Sequence, residues 1–248
     1  PVIGVFANRT HEIIPIEKCL IQDEQTEKIA KYILEYIKEN HISIYDEDTG
    51  SGLIRHIVTK IGKKSNEIMC VIVINGEDIP NENKLVEELI NKFPNIKTIV
   101  KNINKKNTNV ILGEKNVIMY GDGYIKDTLD NLVFKISPLS FYQVNPIQAE
   151  KLYKIGVESA EISKDDIVFD LYCGIGTISL FMAKYAKKVY GIEIVNEAVR
   201  DAIENAKIND IQNTEFIAGD VEKILDNLIK ARKIFPDIVM VDPPRRGL

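Results

Sequence analysis

The sequence predicts an α/β protein: a doubly wound parallel sheet preceded by a smaller α+β layer. Three observations predict it. From Ile167 onward, short apolar runs alternate with helical stretches in a β-α-β-α-β rhythm, which implies parallel strands joined by right-handed crossovers. A glycine turn, Gly174-Ile175-Gly176, directly follows the first of these strands. Further upstream the order helix, strand, strand, helix, strand suits a small layered unit. The pattern changes near Gly121 to Thr128, so one domain is expected over residues 1–128 and a second over 129–248.

In the first half, Asp23 is placed to cap a helix over Glu24 to Asn40, in which Ile29, Ile33, Leu34 and Ile37 share a face. Asp46 to Gly52 is rich in turn formers. Ile54 to Ile61 and Ile68 to Ile74 read as paired strands, the second ended by Asn75-Gly76. Leu85 to Phe93 reads as a helix stopped before Pro94, and Ile96 to Ile103 as a further strand. Val110 to Leu112 and Val117 to Tyr120 read as a hairpin around Gly113 to Asn116. In the second half, Leu132 to Ile136 is a short strand and Pro138 to Asn145 a polar-aromatic connector. A helix follows over Gln148 to Ala160, with Ala149, Leu152, Tyr153 and Ile155 as its apolar positions. The parallel strands are Ile167 to Leu171, Lys188 to Ile192, Thr214 to Ile217 and Ile238 to Val241. Helices between them cover roughly Thr177 to Tyr185, Glu197 to Asn209 and Val221 to Ala231, with Asn196 placed to cap the middle one.

Hydrophobic residues make up 45% of the 248, enough for a buried core. No run of eighteen apolar residues occurs, so no helical membrane span is expected. Pro1-Val2-Ile3-Gly4-Val5 has no basic segment leading an apolar one, so no signal peptide is expected; without an initiator Met, a piece of a longer chain is. Cys19, Cys70 and Cys173 lack metal-ligand spacing and favour a reducing cytoplasm over a disulfide framework. A net charge of −5 weighs against a general nucleic-acid binder. Lys92, Lys97, Lys101, Lys105, Lys106 and Lys115 nevertheless lie close in sequence, and read either as a solvated face or as a local phosphate-facing patch.

Ligands of parallel sheets sit beyond the carboxyl ends of the strands, where strand order reverses. Asp170, Glu193, Asp220 and Asp242 each fall at such an end. Gly174 and Gly176 let the backbone turn sharply and come close to a ligand. Glu193 comes nineteen residues after Gly174, a separation that suits a carboxylate accepting both hydroxyls of a ribose. Such charged-acceptor hydrogen bonds contribute about 1.5–3 kcal/mol each. A glycine loop plus an acid also fits a dinucleotide fingerprint, with Ser179 in place of the third glycine. Two features favour S-adenosylmethionine instead. Asp170 ahead of the loop would repel a pyrophosphate and attract a sulfonium or amino group. Asp242-Pro243-Pro244 ends the fourth strand in a stiff, acid-headed loop whose prolines fix φ and remove two donors, as suits a wall around a planar base; the plainer reading is a strand-terminating turn.

Phe141-Tyr142-Gln143-Val144-Asn145, Asp170-Leu171-Tyr172-Cys173-Gly174-Ile175-Gly176-Thr177, Gly191-Ile192-Glu193 and Asp242-Pro243-Pro244-Arg245 together resemble the successive motifs of the RNA uracil-C5-methyltransferase family. Its members modify 23S ribosomal RNA or the T-loop of transfer RNA. The segment His11 to Gln22, with Cys19, and Gly52 to Ile57 resemble that family's central domain, so the likeness spans nearly the whole chain. It implies a class I S-adenosylmethionine-dependent methyltransferase (Rossmann-like) fold, here truncated, preceded by a central RNA-contacting domain. It implies RNA as partner, 23S rRNA before tRNA, and no membrane. By motif, Gln143 would hold the methionine end of the cofactor, with Tyr172, Gly174, Gly176 and Thr177 at the loop beside it. Glu193 would bind the ribose, Asp220 would lie by the adenine, and Asp242 would border the sulfonium and the target base. Thr177 stands where some relatives use Asn. Simpler roles are a backbone cap for Gln143, core packing for Tyr172 and a helix cap for Asp220.

The resemblance also implies a mechanism: a cysteine thiolate adds to C6 of uracil, C5 takes the methyl group, and a carboxylate removes the C5 proton. Both residues are expected in motifs outside these 248 residues, so no catalytic residue is expected here, and the chain is expected to bind cofactor without transferring methyl. Cys70 and Cys173 read as small buried hydrophobes. Cys19 resembles one ligand of the [4Fe–4S] cluster that some members carry; a cluster needs about four thiolates, so no metal site is expected in this chain. The competing readings are a nicotinamide oxidoreductase, an amino-methyltransferase of the Asp-Pro-Pro-Tyr type, in which Arg245 replaces the aromatic residue, and a non-catalytic RNA-binding protein.

Overall fold

Ile29, Ile33, Tyr36 and Ile37 recur at helical spacing and are all buried, which fixes the packed face of α1 (Glu24–Glu39) in the computed structural model, where residues 1–8, 10 and 12–243 are described. The chain divides into two units: Pro1–Ile61 with Asn66–Ile125, and Gly62–Ser65 with Lys126–Leu248.

In the first unit, Asp23 caps α1 by accepting a hydrogen bond from the Gln25 amide at 2.9 Å. Ahead of α1, β1 (Gly4–Phe6) and β2 (Ile13–Pro15) form an exposed antiparallel ribbon. Then come β3 (Ile54–Ile61), β4 (Ile68–Ile74), α2 (Glu82–Lys92), β5 (Ile96–Ile103) and β6 (Lys115–Tyr120). They build a sheet ordered β3-β4-β5-β6, antiparallel except for β4 and β5, whose connection runs through α2. All seven residues of β4 are buried, as a central strand requires. Leu85 and Leu89 of α2 join the α1 isoleucines in one cluster with Ile68, Cys70, Ile72, Ile74 and Ile99.

The hairpin expected over Val110 to Tyr120 does not form. β6 pairs with β5, and Val110 to Leu112 lies in a loop. Asn104 Nδ2 donates to the carbonyls of Val110 and Ile111 at 2.7 and 3.1 Å, and Asn102 exchanges hydrogen bonds with Gly113 at 2.8 and 2.7 Å. Buried side-chain amides thus supply partners that a ladder would otherwise provide. Four of the six clustered lysines form ion pairs. Lys101 is 2% exposed, with Nζ 2.8 Å from Asp78 and 2.7 Å from Glu82. Lys105 and Lys115 both pair with Glu77, and Lys106 pairs with Glu114. The phosphate-facing alternative finds no support at these four lysines.

In the second unit, β7 (Ile125–Leu129) and β8 (Leu132–Ile136) form a two-stranded sheet. Asp127 of β7 accepts hydrogen bonds from the amides of Lys63, Lys64 and Ser65 at 3.0, 2.9 and 3.1 Å. The turn 62–65 is thereby held by a carboxylate of this unit. α3 (Pro146–Ser159) is capped by Asn145, which accepts from Gln148 N at 3.2 Å. After it come β9 (Ile167–Leu171), α4 (Thr177–Ala183), β10 (Lys188–Glu193), α5 (Asn196–Ile208), β11 (Thr214–Ala218), α6 (Val221–Asp226) with a π-helical continuation over Asn227–Ala231, and β12 (Ile238–Val241). The four strands are all parallel, in the order β11-β10-β9-β12. Strand order therefore reverses beside β9. Asn196 is the first residue of α5 rather than its cap; Val195 takes the cap position. The helix-side asparagines act as edge partners for β8. Asn209 accepts from Val133 N at 2.8 Å and donates to Val133 O at 2.7 Å, while Asn205 accepts from Lys135 N at 2.7 Å and donates to Ile175 O at 3.1 Å. Asn205 thereby ties β8 to the loop after β9.

Candidate functional site

β9 ends at Leu171, and the chain then turns through three left-handed residues: Tyr172 (φ 65), Gly174 (φ 55) and Gly176 (φ 80). For Tyr172 this conformation is strained; the residue packs, half-buried, against the cluster formed by Phe169, Leu171, Tyr190, Ile192 and Leu228. A Cβ on Gly174 would meet nothing within 4 Å, whereas one on Gly176 would lie 2.9 Å from the Phe216 ring. Gly174 thus leaves the loop backbone open to a ligand, and Gly176 is required by packing. Glu193 folds back on the loop. Its Oε2 accepts from Gly174 N at 3.1 Å and its Oε1 from Val195 N at 2.9 Å. Asp170 lies in register with Gly191 of β10 and Met240 of β12. Glu193 and Asp242 therefore sit two residues beyond that row on the flanking strands, about 10 Å apart by strand spacing. Asp242 N donates to Leu171 O at 3.4 Å.

Asp170 is fully buried. Its Oδ2 accepts from Ser179 Oγ at 2.5 Å, and its Oδ1 has no hydrogen-bond partner among the described residues. Burial first, then the charges of Asp242 and Glu193, push its carboxyl up to about 7, against the opposing pull of the Ser179 hydroxyl and amide. A buried acceptor without a donor costs about 1–3 kcal/mol. A cationic donor entering here would satisfy it and would be drawn by all three acids.

Tyr153 of α3 completes this side. It is 6% exposed, and its ring packs edge-on against Phe181 of α4 with centroids 5.8 Å apart. Burial is the main reason its pKa lies above the ordinary tyrosine value; the charges of Asp242 and Asp170 add to the rise, and the side chains of Thr177 and Gln143 oppose it. Sequence reading placed Tyr153 among the apolar positions of this helix, and its burial agrees. Thr177 is the first residue of α4 and Gln143 lies in the stretch before α3, while Glu193 and Gly174 meet on the β10 side of the loop. Asp220 is exposed and caps α6, accepting from Lys223 N at 3.3 Å. A hydrogen bond from Gly219 N to Glu193 O at 2.9 Å holds that strand end beside Glu193. His11, Pro244 and Arg245 lie outside the described residues.

The thiols do not join this site. Burial pushes Cys70 up to about 12, and burial with the nearby Asp170 and Glu193 pushes Cys173 well above the ordinary thiol value. Cys19 is half-buried, and its amide donates to Glu27 Oε1 at 2.6 Å. Among the described residues no three His, Cys, Asp or Glu side chains are grouped to hold a metal ion, so the residues present do not fit an iron–sulfur cluster. A separate cavity of about 510 Å³ lies in the first unit, between β1–β2, α1 and β3. Its lining acids Glu17, Glu27, Asp46, Glu47 and Asp48 outnumber Lys31, Arg55 and His56, which disfavours an anionic ligand. Among the described residues no helix is long and apolar enough to cross a membrane.

Comparison with known proteins points the same way. The profile of the tRNA (uracil-5-)-methyltransferase family matches residues 81–248. An RNA methyltransferase of Caldanaerobacter subterraneus subsp. tengcongensis is 47% identical over 246 residues, covering 99% of this chain and 54% of the relative. One from Staphylococcus aureus strain MSSA476 is 44% identical with the same coverage. The chain thus spans about half the length of the curated relatives it matches. Among solved structures, the Pyrococcus abyssi tRNA (uracil-54, C5)-methyltransferase in complex with S-adenosyl-L-homocysteine superposes with a TM-score of 0.74 at 26% identity, covering 96% of this chain and 55% of that one. The fold is that of a class I, Rossmann-like S-adenosylmethionine-dependent methyltransferase, with its parallel sheet.

Proposed function

The chain belongs to the tRNA (uracil-5-)-methyltransferase family, and on that premise we propose that it supplies the S-adenosylmethionine-binding part of a cytoplasmic enzyme that methylates uridine C5 in RNA. The observation that carries this is the set of acids at three adjacent strand ends, Asp170, Glu193 and Asp242, around a loop left open at Gly174, with one buried Asp170 oxygen in want of a donor.

These residues fit the cofactor chemically. When bound, it would supply an electrophilic methyl group on a sulfonium. Glu193 would accept the ribose hydroxyls, keeping its bond to Gly174 N. Asp170 and Asp242 would face the cationic end. Gln143 and Thr177 would offer donors to the amino-acid carboxylate, with Tyr172 closing the loop beside them. Asp220 would border the adenine, although its carboxylate already serves α6. A nicotinamide dinucleotide fits less well, because its pyrophosphate would meet Asp170 and Glu193. Ser179, which stands where a third glycine would be, is engaged with Asp170.

In this reading the first unit, Pro1–Ile61 with Asn66–Ile125, is the RNA-contacting module. The methyl acceptor is a uridine in structured RNA, with 23S rRNA the first substrate to test and tRNA the comparator. The 248-residue chain alone binds cofactor without turnover: the thiolate is the nucleophilic form of cysteine, and Cys70 and Cys173 are held as buried thiols. Calorimetric titration with S-adenosylhomocysteine and with NAD, beside a methyl-transfer assay on both RNAs, tests this. Saturable binding of the first ligand alone, without transfer, is the expected result. Preference for NAD, or robust methylation by this chain, would overturn it.

A further inference from the structure

α5 carries two buried polar side chains, Asp201 and Asn205, about 6 Å apart along the helix axis. Residues at this spacing are neighbours on one helix face. Asn205 Nδ2 donates to Ile175 O, in the glycine loop, at 3.1 Å. Asp201 Oδ2 accepts from Ser140 Oγ at 2.6 Å in a buried hydrogen bond, and its Oδ1 lies 3.5 Å from Lys135 Nζ. Ser140 stands three residues before Gln143, in the connector between β8 and α3. One face of α5 thus grips both the glycine loop and the connector that carries Gln143. The connector needs such a grip. Ser140 is 1% exposed, but none of residues 141–145 is buried, so apolar packing does not fix them. Polar contacts do: Tyr142 Oη donates to Asp127 at 3.3 Å, and Asn145 caps α3. Those two anchors lead to β7 and α3, whereas Ser140 leads to the helix that also holds Ile175.

We propose that Asp201 is a positioning residue for the cofactor: through Ser140 it fixes the connector relative to the glycine loop, so that Gln143 meets the amino-acid end of S-adenosylmethionine while the ribose rests on Glu193. The inference rests on the cofactor reading above and adds two residues, Asp201 and Ser140, that no motif singles out. A ligand that bridges two segments binds in proportion to the fraction of molecules in which both are in place. Releasing the connector lowers that fraction for a ligand long enough to reach Gln143. It leaves the fraction unchanged for a ligand that ends at the nucleoside, because Glu193 is held by Gly174 N and Val195 N. A carboxylate suits the task, since a hydrogen bond to a charged acceptor is about twice as strong as a neutral one. The nearby Lys135 ammonium offsets the cost of keeping that charge buried.

The test compares S-adenosylhomocysteine with 5′-methylthioadenosine, a thioether of the same nucleoside without the amino-acid end, by calorimetric titration of the whole chain. Ser140→Ala removes the donor, and Asp201→Ala removes the acceptor from the other side. Each variant should lose about tenfold in affinity for S-adenosylhomocysteine, as for one charge-assisted hydrogen bond, with 5′-methylthioadenosine affinity unchanged. Gln143→Ala should itself weaken S-adenosylhomocysteine binding, and adding Ser140→Ala to it should change that affinity by less than about twofold, since residues acting through one another are not additive. Equal loss for both ligands, a lower melting temperature with both affinities intact, or full additivity with Gln143→Ala would overturn the positioning role. Wild-type chain that binds neither ligand defeats the cofactor reading itself. Wild type that binds both, with Ser140→Ala and Asp201→Ala indistinguishable from it, defeats only the inference about Asp201.

Discussion

Gly174 and Gly176 share one loop and one backbone hand, yet an added methyl group should do opposite things at the two positions. Both have positive φ, 55° and 80°, so alanine costs about 1–2 kcal/mol of backbone strain at either. At Gly176 the new Cβ would also meet the Phe216 ring at 2.9 and 3.1 Å and the Ala202 Cβ at 3.2 Å. Overpacking of this kind adds about 1–3 kcal/mol, so Gly176→Ala should lose roughly 2–5 kcal/mol of stability in the second unit. At Gly174 nothing lies within 4 Å of the new Cβ, so Gly174→Ala should lose only the strain. The methyl group would instead project where a ligand approaches the loop, beside the amide bonded to Glu193. Denaturation of both variants, followed by calorimetric titration with S-adenosylhomocysteine, separates the effects. Gly174→Ala should remain folded with affinity reduced at least about tenfold, a loss of 1.4 kcal/mol. Wild-type affinity in Gly174→Ala, or equal destabilisation of the two variants, would refute the assignment of an open ligand face at Gly174.

Three other outcomes follow from the same geometry. With its folded pKa raised to about 7 above an ordinary value of about 3.9, Asp170 contributes stability that is complete below pH of about 4 and is lost as pH rises through about 7. The stability of wild type relative to Asp170→Asn should therefore decline across that window; a difference that stays flat in pH-resolved melts rules out the raised carboxyl. Asn205→Leu strips partners from Lys135 N and Ile175 O and should cost about 2–6 kcal/mol in chemical denaturation, at about 1–3 kcal/mol per unmet group; a loss below about 0.5 kcal/mol would contradict the bridging role. In native chain, maleimide should label Cys19 and spare the buried Cys70 and Cys173, which mass spectrometry reads directly; fast labelling of Cys173 would contradict its enclosure.

The parallel sheet was legible because each strand is a short apolar run bounded by a helix of amphipathic spacing, and its acids stand at strand ends that the run itself defines. β7 was hidden because its inward positions are Ile125, Asp127 and Leu129; a buried carboxylate in the middle breaks the apolar alternation, and its three backbone donors lie more than sixty residues away. The β1–β2 ribbon carries no signal, since three exposed residues per strand show no buried face. Val110 to Leu112 misled for the converse reason: an apolar run whose carbonyls are taken by Asn104 rather than by a neighbouring strand. At the candidate site, glycine spacing and Glu193 were readable from local order. The unpartnered oxygen of Asp170 was not, because what faces a strand-end carboxylate is decided by α4 and the neighbouring strands.

The grip of Asp127 on the turn 62–65 makes the second unit discontinuous along the gene. Its three amide donors are synthesised some sixty residues before the carboxylate that receives them, and they leave the ribosome inside a stretch that otherwise belongs to the first unit. A shortened protein beginning at Lys126 would bury Asp127, 1% exposed in the intact chain, without those donors. The second unit is thus no cassette to be cut free at a single point.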